Sequence, residues 1–207
     1  MRLARIFHCV AALGLLPLLS SCSDPVPPAS QGAMSIHFNN PQGAGPNAPK
    51  CPPGPHWTNA PVSANPAQQT TEFARGTEAL DGEGGNTVTC KVAPAGGRFA
   101  VSGEVSSSGT SSRGDLTADI TVDVTIGAGE SDVVGSLAIS DDKTAQARYQ
   151  SNACKFSVAP TNGSGLGVAP GRVWGSVTCD LISDPRNAGG EACIVDKGFF
   201  VFENCTQ

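Results

Sequence analysis

Residues able to do chemistry are sparse in this 207-residue chain, and their spacing argues against most reactions. Asp119 and Asp123 lie four positions apart in LTADITVDVTI, residues 116–126. On a strand that spacing separates the two carboxylates by about 13 Å, at ~3.3 Å per residue. Carboxylate pairs that cleave glycosides stand ~5–9.5 Å apart across a cleft, so the expectation here is two solvated charges on a soluble sheet face. Glu130, Asp132, Asp141 and Asp142 flank the next strand at its turns. A hard cation such as Ca²⁺ takes 6–8 converging oxygens; these four match no calcium loop and read as ordinary turn acids. Nucleophilic catalysis needs a base beside the nucleophile. Beyond the first 21 residues the histidines are His37 and His56, both in a proline-rich stretch. Gly163-Ser164-Gly165-Leu166-Gly167 lacks the glycine that G-x-S-x-G demands at position 162, which is Asn162, and it lies in a loop. No catalytic residue, metal or cofactor is expected. Trp174 has a phase worth following. In RVWGSVTCDLI, Val173, Val177, Cys179 and Leu181 take the inner face and Trp174 the outer one. An outward tryptophan serves as a platform for a sugar ring or a partner side chain, or it packs under the proline-rich arm that carries Trp57. Packing is the favoured expectation.

The N-terminus carries the one motif with a defined chemistry. Arg2 and Arg5 precede an eleven-residue apolar run, Cys9 to Leu19, which ends in small residues. A helix of that length covers about 16 Å, short of the ~30 Å hydrocarbon core. A charged start, a short apolar centre and small residues at the end mark a cleaved export signal rather than a buried helix. Leu19-Ser20-Ser21-Cys22 resembles the lipobox of bacterial lipoproteins. The resemblance implies that the signal is cut before Cys22, that this thiol carries a diacylglyceryl thioether, and that the new amino group is acylated. Two or more acyl chains give a stable membrane anchor, where one alone binds marginally. Ser23, where an Asp favours retention at the inner membrane, leans toward the outer membrane.

Removing residues 1–21 leaves eleven Lys and Arg against eighteen Asp and Glu, a net charge of −7. An acidic chain without a basic cluster is a poor partner for nucleic acid or anionic lipid headgroups, so membrane contact is expected through the lipid alone. Six further cysteines remain: Cys51, Cys90, Cys154, Cys179, Cys193 and Cys205. An even number in an exported chain reads as three disulfides. A metal site would need closer ligand spacing such as C-x₂-C.

The elements that must position these residues are strands. In residues 116–126 the apolar side chains occupy every second place, which a strand collects on one face and a helix scatters. The same alternation recurs in TVTCKV, RFAVSGEV, VVGSLAI, ARYQSNACKFSV, RVWGSVTCDLI and in CIV and FFVFENC, with Gly, Pro and Ser turns between. In ARYQSNACKFSV the apolar phase slips near Ser151-Asn152, which predicts a bulge. No helical crossover separates the strands, so the pairing is antiparallel. The expectation is an all-β fold, an antiparallel β-sandwich or Greek-key barrel of seven or eight strands, spanning 67–207. Residues 22–66 hold eleven of the sixteen prolines and read as the lipidated N-terminus and an irregular arm. Within that arm SIHFNN, with Ile36 and Phe38 on one side and His37 on the other, reads as a strand laid on the domain edge.

Asp196-Lys197-Gly198 reads as a hairpin loop that sets Cys193 opposite Val201. Cys205 would then lie four residues past Val201, about 13 Å further along at ~3.3 Å per residue, where a disulfide tolerates a Cα separation of only ~4.4–6.8 Å, so Cys193–Cys205 is excluded. Cys154 and Cys179, on neighbouring strands with a shared inward phase, form the better pair. The remaining four cysteines make two bridges, at least one tying the arm to the body. The functional expectation is a lipid-anchored cell-envelope protein, a structural module or a binder of a protein or glycan. The alternative is an envelope hydrolase acting on glycan or peptide.

Overall fold

The computed structural model describes residues 27–41, 51–52, 55–58, 79–107, 118–141, 144, 147–158, 167–186 and 192–207. The export signal, Cys22, Asp142 and the Gly163–Leu166 loop lie outside the described residues. Among the described residues eleven strands make one sheet: β1 (Gln31–Asn39), β2 (Pro55–Thr58), β3 (Ala79–Leu80), β4 (Asn86–Ala95), β5 (Arg98–Ser107), β6 (Ala118–Ile126), β7 (Val133–Asp141), β8 (Tyr149–Ser157), β9 (Gly167–Ala169), β10 (Arg172–Ser183) and β11 (Ala192–Glu203). All pairings between these strands are antiparallel, and the order is β2-β1-β11-β10-β8-β7-β6-β5-β4. The all-β antiparallel class is as expected, in its barrel form. The differences are a count of eleven and a connectivity in which β4 to β8 simply meander from neighbour to neighbour.

The alternation of β6 decides its orientation. Ile120, Val122, Val124 and Ile126 are buried and Asp123 is exposed. The other long strands repeat the pattern, and the interior is filled by Phe156, Phe200, Phe202, Ile36, Ile139, Leu137 and their neighbours. An apolar interior and a polar outside are the reverse of a barrel that sits in lipid. Burying this face supplies the driving force of the fold. Two phenylalanine rings need glycine beneath them: a Cβ on Gly103 would overlap Phe202, and one on Gly175 would overlap Phe200. At the β4–β5 turn, Gly96 and Gly97 both take positive φ, 59° and 83°, as a two-residue type I′ hairpin requires.

β1 corrects the division of the chain into an arm ending at 66 and a domain beginning at 67. It is paired along its whole length with β11 and, on its other edge, with β2 and β3. Met34, Ile36 and Phe38 belong to the buried core. The strand expected at the domain edge is thus an interior stave. Proline composition obscured it, because the prolines stand on either side of residues 31–39 and not within them.

β11 corrects the predicted hairpin. Asp196, Lys197 and Gly198 lie inside one continuous strand. Lys197 pairs with His37, and Gly198 pairs with both Ile36 and Val177. Ladders on both edges outweigh the local turn preference. Gly198 serves close approach: a Cβ there would stand 2.7 Å from Val177 Cγ1. A bulge in β10 between Cys179 and Ile182 has a second effect. It turns Leu181, expected inside, out to 56% exposure and gives the interior place to Ile182. The bulge expected near Ser151 is present, as a shift between Gly135↔Cys154 and Leu137↔Ser151.

Three disulfides join Cys51–Cys193, Cys90–Cys205 and Cys154–Cys179, with Cα–Cα separations of 5.7, 4.9 and 4.2 Å. Cys154–Cys179 is the expected pair, and Cys51–Cys193 ties residue 51 to β11. Cys193 and Cys205 are indeed unbonded to each other, for a different reason than the hairpin: they sit near opposite ends of one strand. Three disulfides are compatible with an exported, non-cytoplasmic protein.

The ring closes through the C-terminal tail and the β3–β4 turn. Val92 N donates to Thr206 O at 2.8 Å, Thr206 N to Cys90 O at 3.0 Å, Gly171 N to Val92 O at 3.0 Å and Cys205 N to Gly171 O at 2.9 Å. Thr206 Oγ1 adds a bond to Cys90 O at 3.1 Å. The Cys90–Cys205 disulfide fastens this clasp covalently.

Candidate functional site

The outward residues of β1, β11 and β10 line up in rows because strand register aligns them. Gln31 stands beside Glu203 on β11, and Ala33 beside Val201, which in turn faces Trp174 on β10. Ser35 stands beside Phe199, which faces Ser176. Period-two alternation therefore places Arg172 and Trp174 on one face of β10. The register brings Glu203 and Val201 next to them.

Trp174 is outward, as its phase predicts, and half-buried. It packs with Phe199 against Ala33 and Val201, an apolar cluster outside the barrel core. Its Nε1 donates to Glu203 Oε1 at 3.1 Å. The packing role is thus present. Trp57 stands opposite Ser35 in the register of β2 and β1, one strand from Phe199.

Next to Trp174 lies a depression of about 340 Å³ lined by Pro170, Gly171, Arg172, Glu203, Asn204, Cys205 and Gln207. Its floor is built by the clasp. Pro170-Gly171 turns β9 into β10 with φ 76° at Gly171, the order and sign that a type II turn favours. Asn204 takes φ 55°, which asparagine tolerates better than most residues. Its Nδ2 donates to Ala29 O at 3.1 Å and its carbonyl accepts from Ser30 Oγ at 3.3 Å. The depression thus presents a guanidinium, a carboxylate and amides on a floor held by a disulfide.

The acids singled out in the sequence fall elsewhere. Asp119 accepts from Arg148 Nη1 at 3.2 Å, and Arg148 Nη2 also reaches Thr121 Oγ1 at 3.2 Å. Asp119 is half-exposed, with its Oδ1 shielded and without a hydrogen-bond partner, so it is less plainly solvated than Asp123. Glu130 organises the β6–β7 turn, accepting from Gly127 N at 2.7 Å and from Arg98 Nε at 3.0 Å. The Gly127 amide first, and then the Arg98 guanidinium, hold its carboxyl below the usual carboxylate range. Asp132, at φ 55°, donates through its N–H to Ser157 Oγ.

His37 forms a pair that sequence reasoning missed. Its Nδ1 lies 3.0 Å from Asp196 Oδ1, and Asn39 Nδ2 donates to Asp196 Oδ2 at 2.6 Å. An ionised carboxylate only accepts, so Nδ1 carries the proton. The pairing holds Asp196 in the strand where the sequence suggests a turn. Among the described residues no hydroxyl hydrogen-bonds His37, and the pair stands on open sheet surface. Among the described residues no group of three or more His, Cys, Asp and Glu is arranged to hold a metal ion.

Geometry therefore defines a disulfide-fastened antiparallel barrel with a filled interior and a polar depression on its rim. Comparison with known proteins adds no family: no family model, curated protein or solved structure matches the chain.

Proposed function

We propose that this chain is a bacterial envelope lipoprotein, anchored through acylated Cys22 and leaning toward the outer membrane, that works by binding a glycan partner. The lipobox residues Leu19-Ser20-Ser21-Cys22 support the anchor. The described residues carry three disulfides of the kind an oxidising compartment permits. The observation that carries the binding role is the depression beside Trp174. Among the described residues the barrel interior is filled with side chains, and this concavity on the outside gathers polar groups of several kinds next to an aromatic. Hydrolysis of a glycan by two side-chain carboxylates would need a second acid ~5–9.5 Å from Glu203, and among the described residues the lining of the depression holds one side-chain carboxylate.

The test is a two-part assay on the full chain in its host. A fatty-acid analogue should label the wild type and leave Cys22→Ser unlabelled. The detergent-solubilised wild type should be retained on purified cell-wall sacculi without releasing soluble fragments from them. Equal labelling of both proteins removes the anchor, and fragment release replaces binding with hydrolysis.

A further inference from the structure

We propose that the depression beside Trp174 takes an acidic saccharide, with Arg172 holding the sugar's carboxylate; this rests on the glycan-binding reading above and names its ligand class. Each other arginine among the described residues is committed to a carboxylate: Arg98 to Glu130, Arg148 to Asp119 and Arg186 to Asp184. Arg172 is exposed and, among the described residues, has no ion pair. It lines the same depression as Glu203, whose Oε1 accepts from the Trp174 indole. A guanidinium left without a carboxylate in a concavity is a ready bidentate site for one.

The remaining lining selects among anions. Glu203 repels a bare anion, but its carboxylate accepts hydroxyl hydrogen bonds, and the Asn204 and Gln207 amides both donate and accept. A ligand that satisfies all of them carries one acid group and several hydroxyls, which describes a uronic-acid-type sugar. The volume, about 340 Å³, falls within the ~300–1,000 Å³ of small-molecule sites. The floor needs no ordering on binding. Cys205 is bonded to Cys90, and Gly171 is hydrogen-bonded to both Val92 and Cys205. Such preorganisation lowers the entropic cost of association.

The experiment titrates the full chain in detergent with tetragalacturonate and, separately, with neutral galactotetraose, alongside retention on sacculi. The expected result is binding of the acidic tetrasaccharide at least tenfold tighter than the neutral one. Arg172→Gln should lose that tenfold preference while its melting curve is unchanged, and added salt should weaken the wild type more than the variant. Equal affinity for both sugars, or an unchanged preference in Arg172→Gln, overturns the acidic-ligand inference even where sacculi still retain the protein. Failure on both sugars and on sacculi overturns the inference and the glycan-binding reading together.

Discussion

The ring of Phe202 occupies the space that a side chain on Gly103 would need. Phe202 is wholly buried, so it has no room to swing aside. Gly103→Ala should therefore cost about 1–3 kcal/mol in denaturant melts, the range of core overpacking. Combining it with Phe202→Leu should cost less than the two separate losses added together, because the smaller side chain relieves the overlap. Simple additivity would show that the two residues are not in contact.

Glu130 supplies a pH dependence with a definite sign. Its folded carboxyl titrates below the ordinary value of 4.5 because the Gly127 amide and Arg98 favour the ionised form. The stabilisation it contributes is present above that value and is lost as pH falls through the depressed one. Wild type should exceed Glu130→Gln in stability at neutral pH, with the gap closing on the acid side of 4.5. A gap that stays constant from neutral to strongly acid pH would show that ionisation has no part in the turn.

Non-reducing peptide mapping should return the pairs Cys51–Cys193, Cys90–Cys205 and Cys154–Cys179. Removing Cys90 and Cys205 together should cost about 2–5 kcal/mol and speed amide exchange at Val92 and Thr206, whose backbone bonds the bridge secures. Recovery of a Cys193–Cys205 peptide would contradict the continuous β11.

Trp174 is a packing residue and also donates to Glu203, which lines the depression. Trp174→Ala should cost about 2–3 kcal/mol, below the 3–5 kcal/mol of a fully buried aromatic because the ring is half-buried. Trp174→Phe should keep most of the packing and lose the bond to Glu203, at about 1 kcal/mol. An alanine variant as stable as wild type would detach Trp174 from the Ala33–Val201 cluster.

What could be read from the sequence depended on how local the signal was. The alternation of residues 116–126 holds within β6 alone, and the predicted inner residues that the structure describes there are buried. The phase slip near Ser151 likewise records a bulge in the strand itself. Asp196-Lys197-Gly198 misled because its turn preference is local, while the pairing that overrides it comes from β1 and β10. For the same reason Trp174 was visible as an outward aromatic but its companions were not. Arg172 shares its phase two residues earlier; Glu203 joins it only once β11 is seen to run unbroken beside β10.

The adjacency of β1 and β11 also orders events in time. His37 and Asp196, hydrogen-bonded across these strands, are 159 positions apart in the chain. A chain synthesised from its N-terminus presents β1 long before β11, its main partner, exists. Pairings of such long sequence separation are slow to form. Until β11 arrives, the apolar face of β1 has no permanent cover, and the ring cannot shut before Cys205 reaches Cys90. Maturation of this barrel is therefore a race between the last residues emerging and the first strand finding a wrong neighbour.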